Sequence, residues 1–538
     1  MFFTTSGKQK PNGRALSWTD STGTMYNYYN APLRKACMFI LIQEACERLA
    51  FYGITPNLQS FLKDTLKITQ NEANMFITTF QALVYFTPIL SAIVADTWLG
   101  SFMTILIFSG VYMAGLVLLC LSAIPSISEA WMVYLALMVL IALGAGGIKS
   151  CVNVMGASQF HPQEHQEEVT RFFTFFYAAI NVGAIVGGIV VPLVQQLTDS
   201  YFYGYLIPLA SFGIATTVFV LGSPRYVKMN PQGSQVLEIL KVMWTSMRRC
   251  HSVNMCKESN GGRFKDQFIE DTKSLGYLMP LFALTIPFNI CYNQMTTAFY
   301  TQSQKMHSTI FGAYMEPALI QNVDPIAVIV LAFFVEYFLY TWLRKKDMMP
   351  SILTRFFLGC CMGSISLLCA MGLEFAIMGS EDPFNTISIW WQVPQFCFVA
   401  LGEIFLISTS YEVAFTYAPE SLKSVGSGLN LLFMAIASFL STALFSICEG
   451  WMPDADPDVP STWQNAHFEY YFILLACISF AGGIGSLALN PYFKKNVKKP
   501  VDRQRNDSVV TTEMAPTNPE EAATADVSML DVGQDRSV

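Results

Sequence analysis

Long apolar stretches recur along the whole of this chain, and their number constrains the fold more than any single motif does. Crossing a bilayer as a helix takes about 20 apolar residues. Stretches of that kind are read at 36–57, 76–97, 102–123, 131–155, 171–195 and 204–222. Six more follow at 277–299, 318–343, 351–378, 388–414, 424–448 and 467–490. Inside lipid every backbone polar group needs an internal partner, so runs of this length are helices. Composition agrees, with 53% of residues hydrophobic and only 13% charged, against about 25% charged in soluble domains. The expected class is therefore an all-α membrane protein with twelve transmembrane helices.

The layout is six spans, a long polar segment, then six more. It predicts an N-terminal tail (1–35), a six-helix bundle (36–222), a linker (223–276), a second six-helix bundle (277–490) and a C-terminal tail (491–538). That is the arrangement of the major facilitator fold, in which two halves rock about a midplane site. The tails, about 1–30 and 500–538, are polar and expected to be disordered. No cleavable signal peptide is expected, because the first apolar run begins only near Lys35 and carries charges.

Basic residues predict the orientation. Lys8, Lys10, Arg14, Arg34 and Lys35 precede the first span, and nine Lys or Arg lie in 223–276, among them Arg225, Lys228, Arg248 and Arg249. Arg344 to Lys346 follow the eighth span, and Lys494, Lys495, Lys498 and Lys499 the twelfth. The loop from Glu449 to His467 holds Asp454, Asp456 and Asp458 but no basic residue. The positive-inside rule then places both termini and the linker in the cytosol, with the choice between plasma and organelle membrane open. The His- and Glu-rich loop 160–170 fits this topology poorly. The sequon at Asn506 is expected on the cytosolic side, unmodified.

Other function classes are disfavoured. A net charge of −7 offers no basic surface for nucleic acid. The 13 cysteines are scattered through apolar runs and read as packing residues, neither a metal site nor a disulfide framework. No phosphate loop, HExxH or Ser/His/Asp set is present, so no enzyme, cofactor or catalytic residue is expected, and any drive comes from an ion gradient.

Charges within predicted spans are the functional candidates, because they are expensive in lipid. Glu44, Glu47 and Arg48 stand at i, i+3 and i+4 and share one face of helix 1. One guanidinium cannot neutralise two carboxylates, so one proton is expected on the pair, to leave when a partner rearranges. The alternative is an ion-pair pin between helices. Lys149 stands roughly 27 Å along helix 4 and Glu44 roughly 13 Å along helix 1, which allows similar depths, although Lys149 has the reach to snorkel instead. Glu403 falls near the middle of helix 10 and suits a substrate amine or Lys149, Asp324 sits in helix 8, and Glu412 is read as structural. Tyr52, Phe175, Tyr177, Tyr292 and Trp390 are candidates for an amphipathic cavity, with plain packing as the competing reading.

EACERLAFY (44–52) resembles the helix-1 signature ExxERFxYY of the proton-dependent oligopeptide transporters of the major facilitator superfamily, with Leu49 and Phe51 as departures. ALGAGGIKSCVNVMGASQF (142–160), FTFFYAAINVGAI (173–185), NQMTTAFYTQ (293–302), ALIQNVDP (318–325) and the stretch 390–429 resemble further blocks of that family, in order. The resemblance implies symport of di- and tripeptides, or other small solutes, with protons across a lipid bilayer. It implies proton coupling by Glu44, Glu47, Arg48 and Lys149, and substrate contacts by Lys149, Asn181 and Glu403, with Tyr52, Asn293 and Asp324 as further candidates.

Departures carry information as well. Asp324 stands where the family commonly has Asn, adding negative charge near the site. Asn293 falls where many bacterial members have an acid, which puts a gate salt bridge there in question. Ser158 and Ser101 replace a usual Asp and a usual basic residue, and the short loop between helices 9 and 10 leaves no room for the large extracellular domain of animal members. Two alternatives stay open. One is a carrier of nitrate or another small solute, although the helix-7 histidine of nitrate members has no counterpart between 277 and 299. The other is a non-transporting sensor on the same fold.

Overall fold

The computed structural model describes residues 16–19, 23–162, 164–231, 233–248, 253–310, 312–379, 386–419, 422–452 and 466–497. Lys8, Lys10, Arg14, Arg249, the acidic residues Asp454, Asp456 and Asp458, and the tail from 498 on, with Asn506, lie outside them.

The first half contains α1 (Met38–Ile54), α2 (Gln70–Val94), α3 (Gly100–Ser122), α4 (Ala130–Ala157), α5 (Gln166–Thr198) and α6 (Tyr201–Gly222). The second contains α7 (Ile286–Gln304), α8 (Pro317–Lys345), α9 (Ile352–Met378), α10 (Ile389–Ala414), α11 (Lys423–Ile447) and α12 (Phe468–Ala488). Among the described residues nine helices are long and apolar enough to span, and a bent pair makes a tenth. One of the nine, Gln70–Ser122, runs 53 residues. At 1.5 Å per residue that is roughly 80 Å, more than twice a ~30 Å hydrocarbon core. It comprises two spans, α2 and α3, turned at Gly100, whose φ of +72° suits a residue without Cβ. α1 carries Glu44, Glu47 and Arg48 and is not among the nine. The chain is thus a multi-pass membrane protein whose spans, among the described residues, are all helices and number the twelve expected.

Local chemistry explains the boundaries. Thr69 and Glu72 form a reciprocal capping box that starts α2. Ser351 caps α9 through the Thr354 amide. Outer faces are apolar where lipid would lie: Ile326, Ile329, Val330, Phe333, Phe334 and Tyr337 form one exposed stripe on α8 at helical spacing.

Each half has its own core. One joins α1 to α4 and α6, and two others are built from α7, α9, α10, α11 and α12. Met75 and Tyr85 of α2 reach across into the second half's cores, and α2 packs along α11. α1 lies mainly against α5, where the segment GAIVG places Gly183 and Gly187 on the α1 backbone. A Cβ at Gly183 would meet the Ala45 carbonyl oxygen at 2.2 Å, and one at Gly187 the Leu49 oxygen at 2.3 Å. This is the small-xxx-small device by which membrane helices approach closely.

Two expectations need correction. Part of the N-terminal region has regular structure, where strands Leu16–Thr19 and Met25–Tyr28 pair as an antiparallel hairpin. Tyr26 and Tyr28 alternate onto its buried face, against Val227, and Tyr28 meets His161 edge-on at 5.4 Å. A lone hairpin is marginal in water, so this docking surface stabilises it. Helix 7 is not one continuous rod: Asp266–Ala283 and Ile286–Gln304 meet at 45°, where Pro287 cannot donate to the preceding turn. The linker is therefore partly helical, through Gln235–Arg248 and the Asp266–Gly276 stretch that leads into α7.

The α1–α5 crossing gives a direct test. Gly187→Ala should destabilise the protein by about 1–3 kcal/mol, because backbone and not a side chain must yield. Gly110→Ala on α3 faces open space and should be near neutral. Thermal unfolding of the purified variants distinguishes them, and equal stability would contradict the crossing.

Candidate functional site

The helix-1 charges are buried together. Glu44, Glu47 and Arg48 are 3%, 0% and 5% exposed. Arg48 Nε lies 3.2 Å from Glu44 Oε1, and its Nη2 contacts the Glu47 carboxylate. The α5 glycines seal this face, since Gly183 lies against Ala45 and the Arg48 Cβ. Lys149 of α4 turns toward α2, its ammonium 4.4 Å from the centre of the Tyr85 ring. Among the described residues no carboxylate lies within 4.0 Å of it, so the structure does not bring Lys149 into an ion pair with Glu44 or Glu403.

Next to this cluster is a cavity of about 160 Å³ between the halves. Phe51 and Tyr52 of α1, Gln81 and Tyr85 of α2, and Tyr177 and Asn181 of α5 form one wall. Tyr292, Asn293 and Thr296 of α7, Asp324 of α8 and Glu403 of α10 form the other. Four tyrosines with a few amides and acids make a small amphipathic chamber. Glu403 opens a π-helical turn, Glu403–Ile407, a distortion frequent at functional sites. Asp324 stands in the first turn that follows a 3-10 segment, Pro317–Asn322.

Two predicted residues are partly occupied by their own scaffold. Asn181 Nδ2 donates to the Tyr177 carbonyl at 2.9 Å. Asn293 Nδ2 donates to Ser438 and Ser441 of α11, at 3.1 and 3.2 Å, and so ties α7 to α11 rather than forming a gate salt bridge. Of the predicted aromatics, Tyr52, Tyr177 and Tyr292 line the cavity. Phe175 is exposed and Trp390 hydrogen-bonds the Thr309 carbonyl, so neither is in the wall. Glu412 clasps Arg355 of α9 through both oxygens, at 2.7 and 3.3 Å.

The halves meet on one side of the cavity, at the C-terminal end of α1, through neutral groups. Asn57 accepts from the Tyr300 hydroxyl at 2.9 Å across the halves and, within its own half, donates to Gln195 at 2.8 Å. Gln59 donates to Thr301 at 2.9 Å and also bonds Asn74. Gln81 donates to Thr296 at 3.0 Å, Asn322 to the Gly188 carbonyl at 2.8 Å, and Thr78 shares a hydrogen with Thr442 at 2.7 Å. Among the described residues no ion pair crosses between the halves here.

Comparison with known proteins places this geometry. The model of the POT family matches residues 102–453. The chain belongs to the POT family. Among its relatives, Protein NRT1/PTR FAMILY 8.3 of Arabidopsis thaliana is 29% identical, covering 84% of this chain and 91% of that protein. The probable peptide transporter ptr2 of Schizosaccharomyces pombe is 27% identical over 90% of this chain and 84% of its own length. A crystal structure of an auto-inhibited POT family peptide transporter superposes with a TM-score of 0.71 at 23% identity, covering 85% of this chain and 96% of that one. The major facilitator fold is thereby shown, and this POT family chain is a transporter.

One feature of this POT family chain escaped the sequence reading. Lys305 at the end of α7 pairs with Glu374 of α9 at 2.8 Å, with both 5% exposed or less. Gln302 donates to the second carboxylate oxygen at 2.9 Å, and the ammonium lies 4.3 Å from the centre of the Phe468 ring of α12. Glu374 was visible as a lone acid in a predicted span, whereas its partner lies just past the predicted end of helix 7. The rule that flagged Glu403 applies to it equally. Gln81, Tyr85 and Asn322 were also missed, because single polar residues in apolar helices carry no spacing signal.

The pair ties three helices of one half, which predicts a specific stability pattern. Glu374→Gln should cost about 3–5 kcal/mol by stranding a buried ammonium. Replacing both partners with apolar residues, Glu374→Leu with Lys305→Met, should restore most of that loss. Unfolding midpoints measure this, and a double variant as unstable as the single one would contradict the reading.

Proposed function

We propose that the chain is a proton-coupled symporter of di- and tripeptides that works by alternating access. The observation that carries the reading is the division of charge about the cavity. Asp324 and Glu403 stand in the wall from the second half, suited to a substrate amine. Arg48 and Lys149 lie behind Phe51 and Tyr85 in the opposite wall, on the side suited to a substrate carboxylate. This division of charge suits a zwitterion. In the same cluster Glu44 and Glu47 share Arg48, so one proton held there becomes free to move when a substrate carboxylate competes for the cations. Tyr52 and Asn181 contribute polar edges, and Asn293 holds α7 in place.

In this reading the bundles 36–222 and 277–490 rock about the cavity within the lipid bilayer, joined by the linker 223–276, with tails at 1–35 and 491–538. Both termini and the linker face the cytosol, as the basic residues there favour. The neutral layer around Asn57, Gln59 and Tyr300 then closes the side away from the linker. Hydrogen bonds of about 1 kcal/mol each can be exchanged for water, so such a layer opens without stranding a charge.

Relatives that include an NRT1/PTR family protein beside a probable peptide transporter keep a small-anion substrate in view. The acids in the wall, Asp324 and Glu403, speak against it, because a small anion brings no amine for them.

Proteoliposomes test the proposal. Labelled dipeptide uptake should rise when the external pH is stepped from neutral to mildly acidic, and an uncoupler should abolish the rise. Glu47→Gln should lose this pH-driven uptake while retaining counterflow exchange. Nitrate uptake without dipeptide uptake would refute the peptide reading, and loss of exchange as well would make the cluster a structural pin.

A further inference from the structure

The linker passes from one half to the other with almost no slack. Val227 is held on the first half by Gln159, whose side chain accepts the Val227 amide at 2.8 Å and donates to its carbonyl at 3.0 Å. The N-terminal hairpin lies over the same stretch. Tyr26 and Tyr28 pack on Val227, and the Tyr26 hydroxyl accepts the Asn230 amide at 3.3 Å. Further on, a Cβ at Gly100 would meet the Met229 carbonyl oxygen at 3.2 Å, and the Gly233 amide donates to the Asp96 carbonyl at 3.0 Å. All of these anchors sit on the first half.

The next residues belong to the other half. Ser234 leads into the helix Gln235–Arg248, its carbonyl accepting the Glu238 amide at 3.2 Å and its hydroxyl the Leu237 amide at 3.4 Å. Val236 and Ile239 of that helix pack against a core built from α7, α9, α10 and α11. Val242 joins Ile269, on the stretch that leads into α7. The last first-half anchor, Gly233, and the first second-half anchor, Val236, are therefore separated by a chain length of at most about 11 Å when fully extended. The hydrogen bonds of Ser234 take up part of that length. Gly233 has φ of +93° with open space around it, so backbone freedom and not packing calls for glycine there.

We propose that the segment 227–236, pinned by the N-terminal hairpin, is a strap that pivots at Gly233 and limits how far the two halves part on the linker side. The proposal rests on the rocking motion in the reading above and adds the device that sets its amplitude. Releasing the hairpin leaves little more than the hydrogen bond at Gly233 between the pin at Val227 and the anchor at Val236, a stretch that reaches about 30 Å when extended. The hairpin is what keeps the strap short.

Pulsed electron paramagnetic resonance on the full chain, with nitroxides carried by unnatural residues, tests this. Labels at Glu164 and Lys495 report the linker side, and labels at Ser126 and Glu449 the opposite face. Inserting Gly-Ser-Gly-Ser after Gly233 should lengthen the greatest Glu164–Lys495 separation by about 5 Å or more. Tyr26→Phe combined with Tyr28→Ala should shift it in the same direction. The same insertion after Asp347, in the loop that joins α8 to α9 within one half, should not. An unchanged separation in the tyrosine variant or in the Gly233 insertion, or equal widening from the Asp347 insertion, overturns the proposal. If the Gly233 insertion does not fold, the tyrosine variant decides alone. Reciprocal changes at the two faces on adding dipeptide at mildly acidic pH report rocking in the wild type. Their absence refutes the rocking reading and the strap with it, whereas rocking of unaltered amplitude in the variants overturns the strap alone.

Discussion

One guanidinium facing two carboxylates within a single turn of α1 is the constraint on which the rest of the structure turns. Arg48 contacts both Glu44 and Glu47, and all three are nearly inaccessible. Burying such a group in a membrane protein is tolerable only where the charges neutralise one another and lipid is kept away. The fold meets both conditions through α5. Gly183 and Gly187 let the α1 backbone lie directly on α5, which closes the face of α1 that carries the charges. Lys149 adds a fourth charge from α4, held over Tyr85 rather than in direct contact with either carboxylate. The cluster adjoins the cavity through Phe51 and Tyr85.

The contrast between the two kinds of polar contact explains how such a protein can move. Among the described residues charged pairs stay within a half: Arg48 with its glutamates in the first, Lys305 with Glu374 and Arg355 with Glu412 in the second. Contacts between the halves at the closed end are amides and hydroxyls around Asn57, Gln59 and Tyr300. A buried ion pair strands a charge when it breaks, whereas a neutral hydrogen bond is replaced by one to water at modest cost. The strong links therefore keep each half rigid, and the weak ones lie where separation is required.

Much of this was legible in the sequence, and the reasons differ from element to element. Helices such as α9, expected at 351–378 and found at Ile352–Met378, were readable because a bilayer demands a minimum apolar length. Glu44, Glu47 and Arg48 were readable because charge is rare in lipid and their spacing sets them on one face. The break in helix 7 was not readable from apolarity, since Pro287 interrupts hydrogen bonding without interrupting the apolar run. The hairpin 16–28 was hidden because its order comes from docking on Val227 and His161, far along the chain. Lys149 was expected at a depth similar to that of Glu44, but only the packing of α4 on α2 decides that its ammonium lies on Tyr85. GAIVG carried a close-approach signal that was there to be read.

The central claim is that Glu44 and Glu47, sharing Arg48, hold one proton between them in the resting protein. Infrared difference spectroscopy of the purified chain, stepped between neutral and alkaline pH, observes this directly through the carbonyl stretch of a protonated carboxyl group. The account predicts a band that disappears at alkaline pH in the wild type, in Asp324→Asn and in Glu403→Gln, and that same band is absent or displaced in Glu44→Gln and Glu47→Gln. A band that survives unchanged in both helix-1 variants, or no protonated carboxyl at neutral pH, would contradict it.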